Sequence, residues 1–277
     1  MPDTTAPRFE PIAFIGGGNM ARCLIAGLIR QGVPANTIHV AEPVDALREQ
    51  LATDFGVQVH VTAAEAAEDC RTWLLAVKPQ VMAEVCAPLA PLAKILRPLV
   101  VSIAAGISRD RLRQWLGEDA GVVRAMPNTP ALLGAGVTGL YAGADVDADG
   151  RARAQALLAS AGQTVWIEDE ALMDAVTAVS GSGPAYVFLL AEAMQAAAVA
   201  QGLPEDAATT LVAQTLLGAS RMLSESGETA AELRRRVTSP KGTTQAAIET
   251  FQAGGFEALV AQAIDAAARR GRELSAG

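Results

Sequence analysis

The stretch FIGGGNMA, residues 14–21, decides the fold. It follows an apolar run, PIAFIG (11–16), that reads as a buried strand. It opens a segment, 19–31, in which Met20, Leu24, Ile25, Leu28 and Ile29 recur at helical spacing. Strand, tight turn and helix in that order, carrying Gly16-x-Gly18-x-x-Ala21, read as a nucleotide-binding turn. Gly16 permits the turn, Gly18 lets a pyrophosphate approach the backbone, and Ala21 lets the helix lie close on the strand. The helix start then offers unpaired N–H groups and a partial positive charge to phosphates. A glycine triplet alone would equally serve as a structural turn; its place between strand and helix carries the reading.

Further strands are expected at TIHVAE (37–42), VQVHV (57–61), WLLAV (73–77), LVVSIA (99–104) and GVVRAM (121–126), with a helix near 43–54. Continuous apolar runs separated by helices are what a parallel sheet covered on both faces requires. A strand at 136–141, a helix at 147–160 and a strand at 164–168 complete this half. Beyond residue 170 the strand pattern stops and Ala-rich helices are expected at 170–178, 184–201, 204–225, 229–237, 243–253 and 255–274. The expected class is α/β: a Rossmann-like, doubly wound sheet over 1–168, then an all-α domain over 169–277. The helix at 184–201 is apolar nearly all round, which suits burial against a partner subunit as well as its own core.

Composition narrows the function. The chain has 277 residues, 51% of them hydrophobic, and 22 Lys+Arg against 30 Asp+Glu give a net charge of −8. An acidic chain lacks the basic face that nucleic acid or an anionic membrane would need. No run of about 18 uninterrupted apolar residues occurs, so no membrane span is expected. The opening MPDTTAPRFE has no basic start followed by an apolar stretch, so no secretory signal is expected and a cytoplasmic location is. Cys23, Cys70 and Cys86 have no metal-ligand spacing and read as incidental thiols of a reducing compartment. With only His39 and His60, no metal site is expected and most His-based acid–base chemistry is excluded.

Glu42 ends the second strand, 24 residues after Gly18, where an acidic side chain would accept hydrogen bonds from an adenosine ribose. It would repel a 2′-phosphate and so leans toward NADH, whereas Arg48 or a loop amide would still serve NADPH; a solvated strand-end carboxylate is the plainer alternative. AVKPQ (76–80) and SIAAGIS (102–108) lie at carboxyl ends of strands, where ligands sit in open parallel sheets. RAMPNTP (124–130) follows the next strand. Each could be an ordinary loop; three at successive strand ends form a site more readily. VSGSGPAY (179–186) is a Gly/Ser turn entering a helix, either a cap or a source of N–H groups beside a substrate. In VTSPKGTTQAA (237–247), hydroxyls cluster at a helix start, where capping alone or a carboxylate site is the choice.

The set FIGGGNMA, AVKPQ, SIAAGI, RAMPNTP, SGSGPAY and VTSPKGTT, in this order, resembles pyrroline-5-carboxylate reductase over residues 11–272. The resemblance implies NADPH- or NADH-dependent reduction of 1-pyrroline-5-carboxylate to L-proline, the last step of proline synthesis. It also implies a homodimer assembled into a larger ring such as a decamer. By position, Gly16, Gly18, Asn19 and Met20 resemble the phosphate loop. Ala76, Lys78, Pro79, Ala104, Ala105 and Gly106 resemble coenzyme-facing strand ends, and Met126, Pro127 and Asn128 the stretch near the nicotinamide. Ser239, Lys241, Gly242, Thr243 and Thr244 fall on the substrate loop, with Thr244 in the place of a threonine that hydrogen-bonds the ring nitrogen. The family's loop comes from the partner subunit. Two departures stand out: Lys241 replaces a common glycine, and GETAAEL (227–233) lacks a frequent His-Pro.

Two other classes fit parts of the chain. A 3-hydroxyacid dehydrogenase would need a lysine early in the helical domain, and none occurs between Lys94 and Lys241. A coenzyme-sensing regulator would keep the glycine loop but not the hydroxyl-rich turn.

Overall fold

Apolar strands alternate their side chains between two cores, as a sheet covered on both faces demands. The computed structural model describes residues 10–276; residues 1–9, on which the secretory-signal expectation largely rests, lie outside them. The first unit begins β1 (Ile12–Ile15), α1 (Asn19–Arg30), β2 (Ile38–Ala41), α2 (Asp45–Phe55), β3 (Gln58–His60), α3 (Ala63–Ala67) and β4 (Thr72–Leu75). It continues with α4 (Met82–Cys86), α5 (Ala90–Leu96), β5 (Leu99–Ser102), α6 (Arg109–Leu116), β6 (Gly121–Met126), β7 (Gly136–Ala142), α7 (Ala148–Ala159), β8 (Gly162–Trp166) and α8 (Met173–Val176). The sheet order is β3-β2-β1-β4-β5-β6-β7-β8.

Phe14, Leu74, Val101 and Val123 point to one face, with Leu24, Ile25 and Leu28 of α1. Ala13, Ile15, Trp73, Leu75, Val100 and Val122 point to the other, with Met82 and Leu112. The indole N–H of buried Trp73 donates to the Cys70 carbonyl at 2.7 Å, so its polar atom is satisfied. Burial pushes the Cys70 and Cys86 thiols up to about 12, which keeps them protonated and unreactive.

Two features of the sheet differ from the sequence reading. β1 to β6 are parallel, but β7 pairs antiparallel to β6, and β8 runs parallel to β7. The β6–β7 link holds only a short helical turn, Thr129–Leu133, and so returns directly instead of crossing over. β8 also starts earlier than expected, because Gly162 pairs with Gly136. A Cβ on Gly162 would stand 2.0 Å from the Gly136 carbonyl oxygen, so only glycine allows that approach.

By its own contacts the chain forms two units, one reaching Ser182 and taking in the chain from Ala267 onward, the other Gly183–Ala266. The change of pattern near 168 marks where the strands end, but the helical turns that follow pack back on the sheet. Val176 fills the space beside Gly139, where an added Cβ would meet it at 2.5 Å. Between α8 and the next helix the chain makes a π-helical turn, Thr177–Gly181.

The second unit holds α9 (Gly183–Ala200), α10 (Glu205–Glu225), α11 (Ala230–Arg236), α12 (Thr243–Ala253) and the first part of α13 (Phe256–Ala276). No residue of α9 is buried, and Phe188 and Leu189 are each 66% exposed. Exposed apolar patches of this kind mark interaction surfaces in general. The run Glu170–Ala200 also meets the length and composition of a membrane-crossing helix. A search for uninterrupted apolar residues passes over it because Glu170, Asp174 and Glu192 punctuate the run.

Candidate active site

Five loops at the carboxyl ends of β2, β1, β4, β5 and β6 lie side by side along one sheet edge. The chain reverses direction across the sheet between β1 and β4, and nucleotides bind at such a switch point. Gly16 has φ +103°, and an added Cβ would sit 2.9 Å from the Ala76 carbonyl oxygen. Gly18 caps α1 without any side-chain hydrogen bond, and a Cβ there would meet nothing within 4 Å. No acidic residue occupies the first turn, which begins with Asn19 and Met20. An open, uncapped helix start with its dipole unopposed fits a pyrophosphate.

Glu42 sits beside this loop but turns inward. It is 7% exposed; one carboxylate oxygen accepts from Gly17 N–H at 3.2 Å and the other from Val44 N–H at 3.1 Å. Arg48 donates to the Glu42 carbonyl at 2.9 Å and pairs with Asp45 at 2.7 Å. At the next strand end Ala76 N–H donates to the Ile15 carbonyl at 2.9 Å, Lys78 is exposed, and Pro79 opens a short helical turn. Ala104 is buried, Ala105 half-buried, and Gly106 has φ +75°. Met126 is half-buried at the end of β6; Pro127 and Asn128 are buried behind it.

An ion pair behind this edge was not legible in the sequence. One carboxylate oxygen of Glu170 accepts from Arg124 at 2.8 Å and from the Arg109 backbone N–H at 2.7 Å. It joins β6, the start of α6 and the chain beyond β8. Nothing in the spacing of these residues signals the contact.

The second unit places the other group of residues. Gly242 caps α12 with no side-chain bond, its N–H donates to the Ser239 carbonyl at 3.0 Å, and no acidic residue follows in the first turn. Thr243 and Thr244 open the helix; Ser239 and Thr243 are exposed and Thr244 half-buried. Lys241 has φ +60°, a left-handed backbone that suits glycine, and its N–H donates to Gln245 at 2.7 Å. Among the described residues, no group of three or more His, Cys, Asp or Glu is placed to hold a metal.

Residues 170–274 match the family profile described as pyrroline-5-carboxylate reductase dimerisation, and residues 11–106 the one described as NADP oxidoreductase coenzyme F420-dependent. A pyrroline-5-carboxylate reductase of Pseudomonas aeruginosa is 53% identical over 264 residues, 95% of this chain and 96% of that protein. The chain belongs to the pyrroline-5-carboxylate reductase family. A solved family structure from Coxiella burnetii matches with a TM-score of 0.93 at 39% identity, covering 97% of this chain and 99% of that one. The Plasmodium falciparum pyrroline carboxylate reductase, solved with NADP bound, matches with a TM-score of 0.84 at 26% identity over 96% of this chain and 98% of that one. With the family come its oxidoreductase activity on a small cyclic imine, NAD(P)H as coenzyme, and oligomerisation through the helical region.

Proposed function

We propose that this chain reduces the C=N bond of 1-pyrroline-5-carboxylate to give L-proline, using NADPH or NADH, as the last step of proline biosynthesis. The observation that carries the reading is the Ser239–Thr244 turn, a second uncapped helix start, here lined by hydroxyls, in a chain of this family. Coenzyme binding is assigned to residues 1–168, at the loops named above, and substrate binding and dimerisation to 169–277. The reduced nicotinamide, when bound, supplies the hydride. The chain's own part is binding and orientation, because a protonated cyclic imine is already electrophilic and needs no strong acid. The first N–H groups of α12, with the Ser239 and Thr243 hydroxyls, hold the substrate carboxylate. The Thr244 hydroxyl orients the ring nitrogen.

A second copy of the chain supplies this loop to the neighbouring coenzyme edge and covers the apolar α9, and the dimers assemble into a ring such as a decamer in the cytoplasm. Light scattering across a dilution series reads the assembly; a monomer at micromolar concentration would remove the shared site. The activity itself is read as loss of absorbance at 340 nm with the imine and each coenzyme in turn, and no loss with either would overturn the reading.

Thr244→Ala is expected to lose about 1–3 kcal/mol of transition-state stabilisation, or roughly ten- to hundredfold in turnover. Its affinity for NADPH should stay unchanged in a fluorescence titration. An unaltered turnover would take Thr244 out of the mechanism. Lys241→Gly keeps the left-handed turn and removes the side chain with its ammonium group. Its substrate KM should stay within about twofold, since an exposed charge contributes little; a tenfold rise would assign the ammonium to the substrate carboxylate.

A further inference from the structure

We propose that Asn128 is a positioning residue for the reduction, acting through the π-turn at Thr177–Gly181 without touching the coenzyme, in place of the coenzyme contact that the resemblance implies for it. The inference rests on the reading above in one respect, that the coenzyme lies along the carboxyl edge of the sheet.

Asn128 is 9% exposed, and both ends of its amide are engaged by protein. Its NH2 donates to the Ser180 carbonyl at 3.1 Å, and its oxygen accepts from Val137 N–H at 3.0 Å. The side chain therefore ties the start of β7 to a turn far along the chain. That turn is an unusual one. π-helical turns are rare and gather at functional sites, because the wider ring shifts the backbone that follows. Here Ser182 N–H closes the turn on the Thr177 carbonyl at 2.8 Å. The turn's two hydroxyls serve their own helix: Thr177 donates to the Met173 carbonyl at 3.0 Å and Ser180 to the Val176 carbonyl at 2.9 Å. What the turn offers the β6 end is thus backbone, the Ser180 carbonyl and the bare Gly181.

Gly181 carries the second contact. A Cβ there would stand 2.5 Å from the Met126 Cε. Met126 ends β6 on the carboxyl edge, two residues before Asn128. One short segment therefore grips the turn twice, by hydrogen bond at Asn128 and by packing at Met126. Asn128 fixes Ser180, Ser180 fixes Gly181, and Gly181 sets how far Met126 stands into the edge where the nicotinamide ring must lie. A ring displaced by about 1 Å loses on the order of a hundredfold in rate without losing its binding contacts elsewhere.

Three variants test this, each measured for kcat, for NADPH dissociation constant by fluorescence titration, and for amide hydrogen exchange over residues 176–183 in the coenzyme-free protein. Asn128→Ala should lower kcat by about tenfold to a hundredfold, leave the NADPH constant within about twofold, and speed exchange across the turn. Asn128→Asp carries the sharper readout. A neutral carboxylic acid donates to the Ser180 carbonyl as the amide does, whereas a carboxylate cannot, so the ratio of its kcat to wild type should rise as pH falls. Gly181→Ala leaves Asn128 in place and moves only the flexible end of Met126, so it folds and should also lower kcat at unchanged NADPH affinity. An NADPH constant that weakens in step with kcat in Asn128→Ala would make Asn128 a coenzyme ligand and overturn the proposal. A ratio flat with pH, or a wild-type kcat in Gly181→Ala, would overturn it too. Were wild type inactive on the imine, the proposed substrate would fail, while NADPH titration and exchange would still decide the role of Asn128.

Discussion

Glu170→Ala is expected to destabilise the chain by about 2–3 kcal/mol. Its carboxylate oxygen is the shared acceptor for Arg124 and for the Arg109 backbone N–H. The Arg124 side chain is 10% exposed and that of Glu170 24%. Removing one partner of a buried pair costs roughly 3–5 kcal/mol, because the other charge stays behind unpaired. Access of water on the Glu170 side lowers the figure. Urea unfolding at fixed protein concentration should show a lower midpoint with an unchanged slope. Glu170→Gln keeps an acceptor for Arg109 and should lose less. Pairing Glu170→Ala with Arg124→Met should recover part of the loss, since no buried charge then remains. A single variant as stable as wild type would mean that Arg124 finds water instead.

What the sequence made legible follows from what periodicity reports. The runs at PIAFIG, WLLAV and LVVSIA are apolar on both faces, so strand, burial and parallel class could be read together. The glycine loop could be read because its first glycine admits no side chain: Gly16 has φ +103°, and a Cβ there would stand 2.9 Å from the Ala76 carbonyl oxygen. Helices α3, α4, α5 and α6 escaped because five to eight residues do not complete a periodic pattern. The direction of β7 depends on a link that returns without a crossover, and hydropathy carries no sign of direction. The candidate site divides the same way. Thr243 and Thr244 could be placed at a helix start by their turn chemistry. That Lys241 adopts a left-handed backbone, and that Asn128 is bonded at both ends, are properties of tertiary contacts that only the folded chain defines.

Glu42 is where the two views part most sharply, and it carries the other large prediction. From position alone the carboxylate faces the adenosine ribose, and neutralising it should favour NADPH over NADH. In the fold its two oxygens are committed to Gly17 and Val44 N–H groups, one on the glycine loop and one at the approach to α2. Leu51 closes the other side: a Cβ on Gly17 would stand 2.4 Å from it. The carboxylate thus holds the phosphate loop in shape. Charge-assisted bonds of this kind are worth about 1.5–3 kcal/mol each. Glu42→Ala should therefore weaken NADH and NADPH alike, by about a hundredfold, with their ratio held within about twofold. Glu42→Gln keeps one acceptor and should weaken both by roughly tenfold. Titrating each variant with both coenzymes decides the matter. If NADPH affinity rises relative to NADH while NADH binding is little changed, the carboxylate is a ribose ligand and the strut assignment fails. A parallel loss leaves discrimination at the 2′ position to Arg48, whose guanidinium is held at that strand end by the Glu42 carbonyl and Asp45.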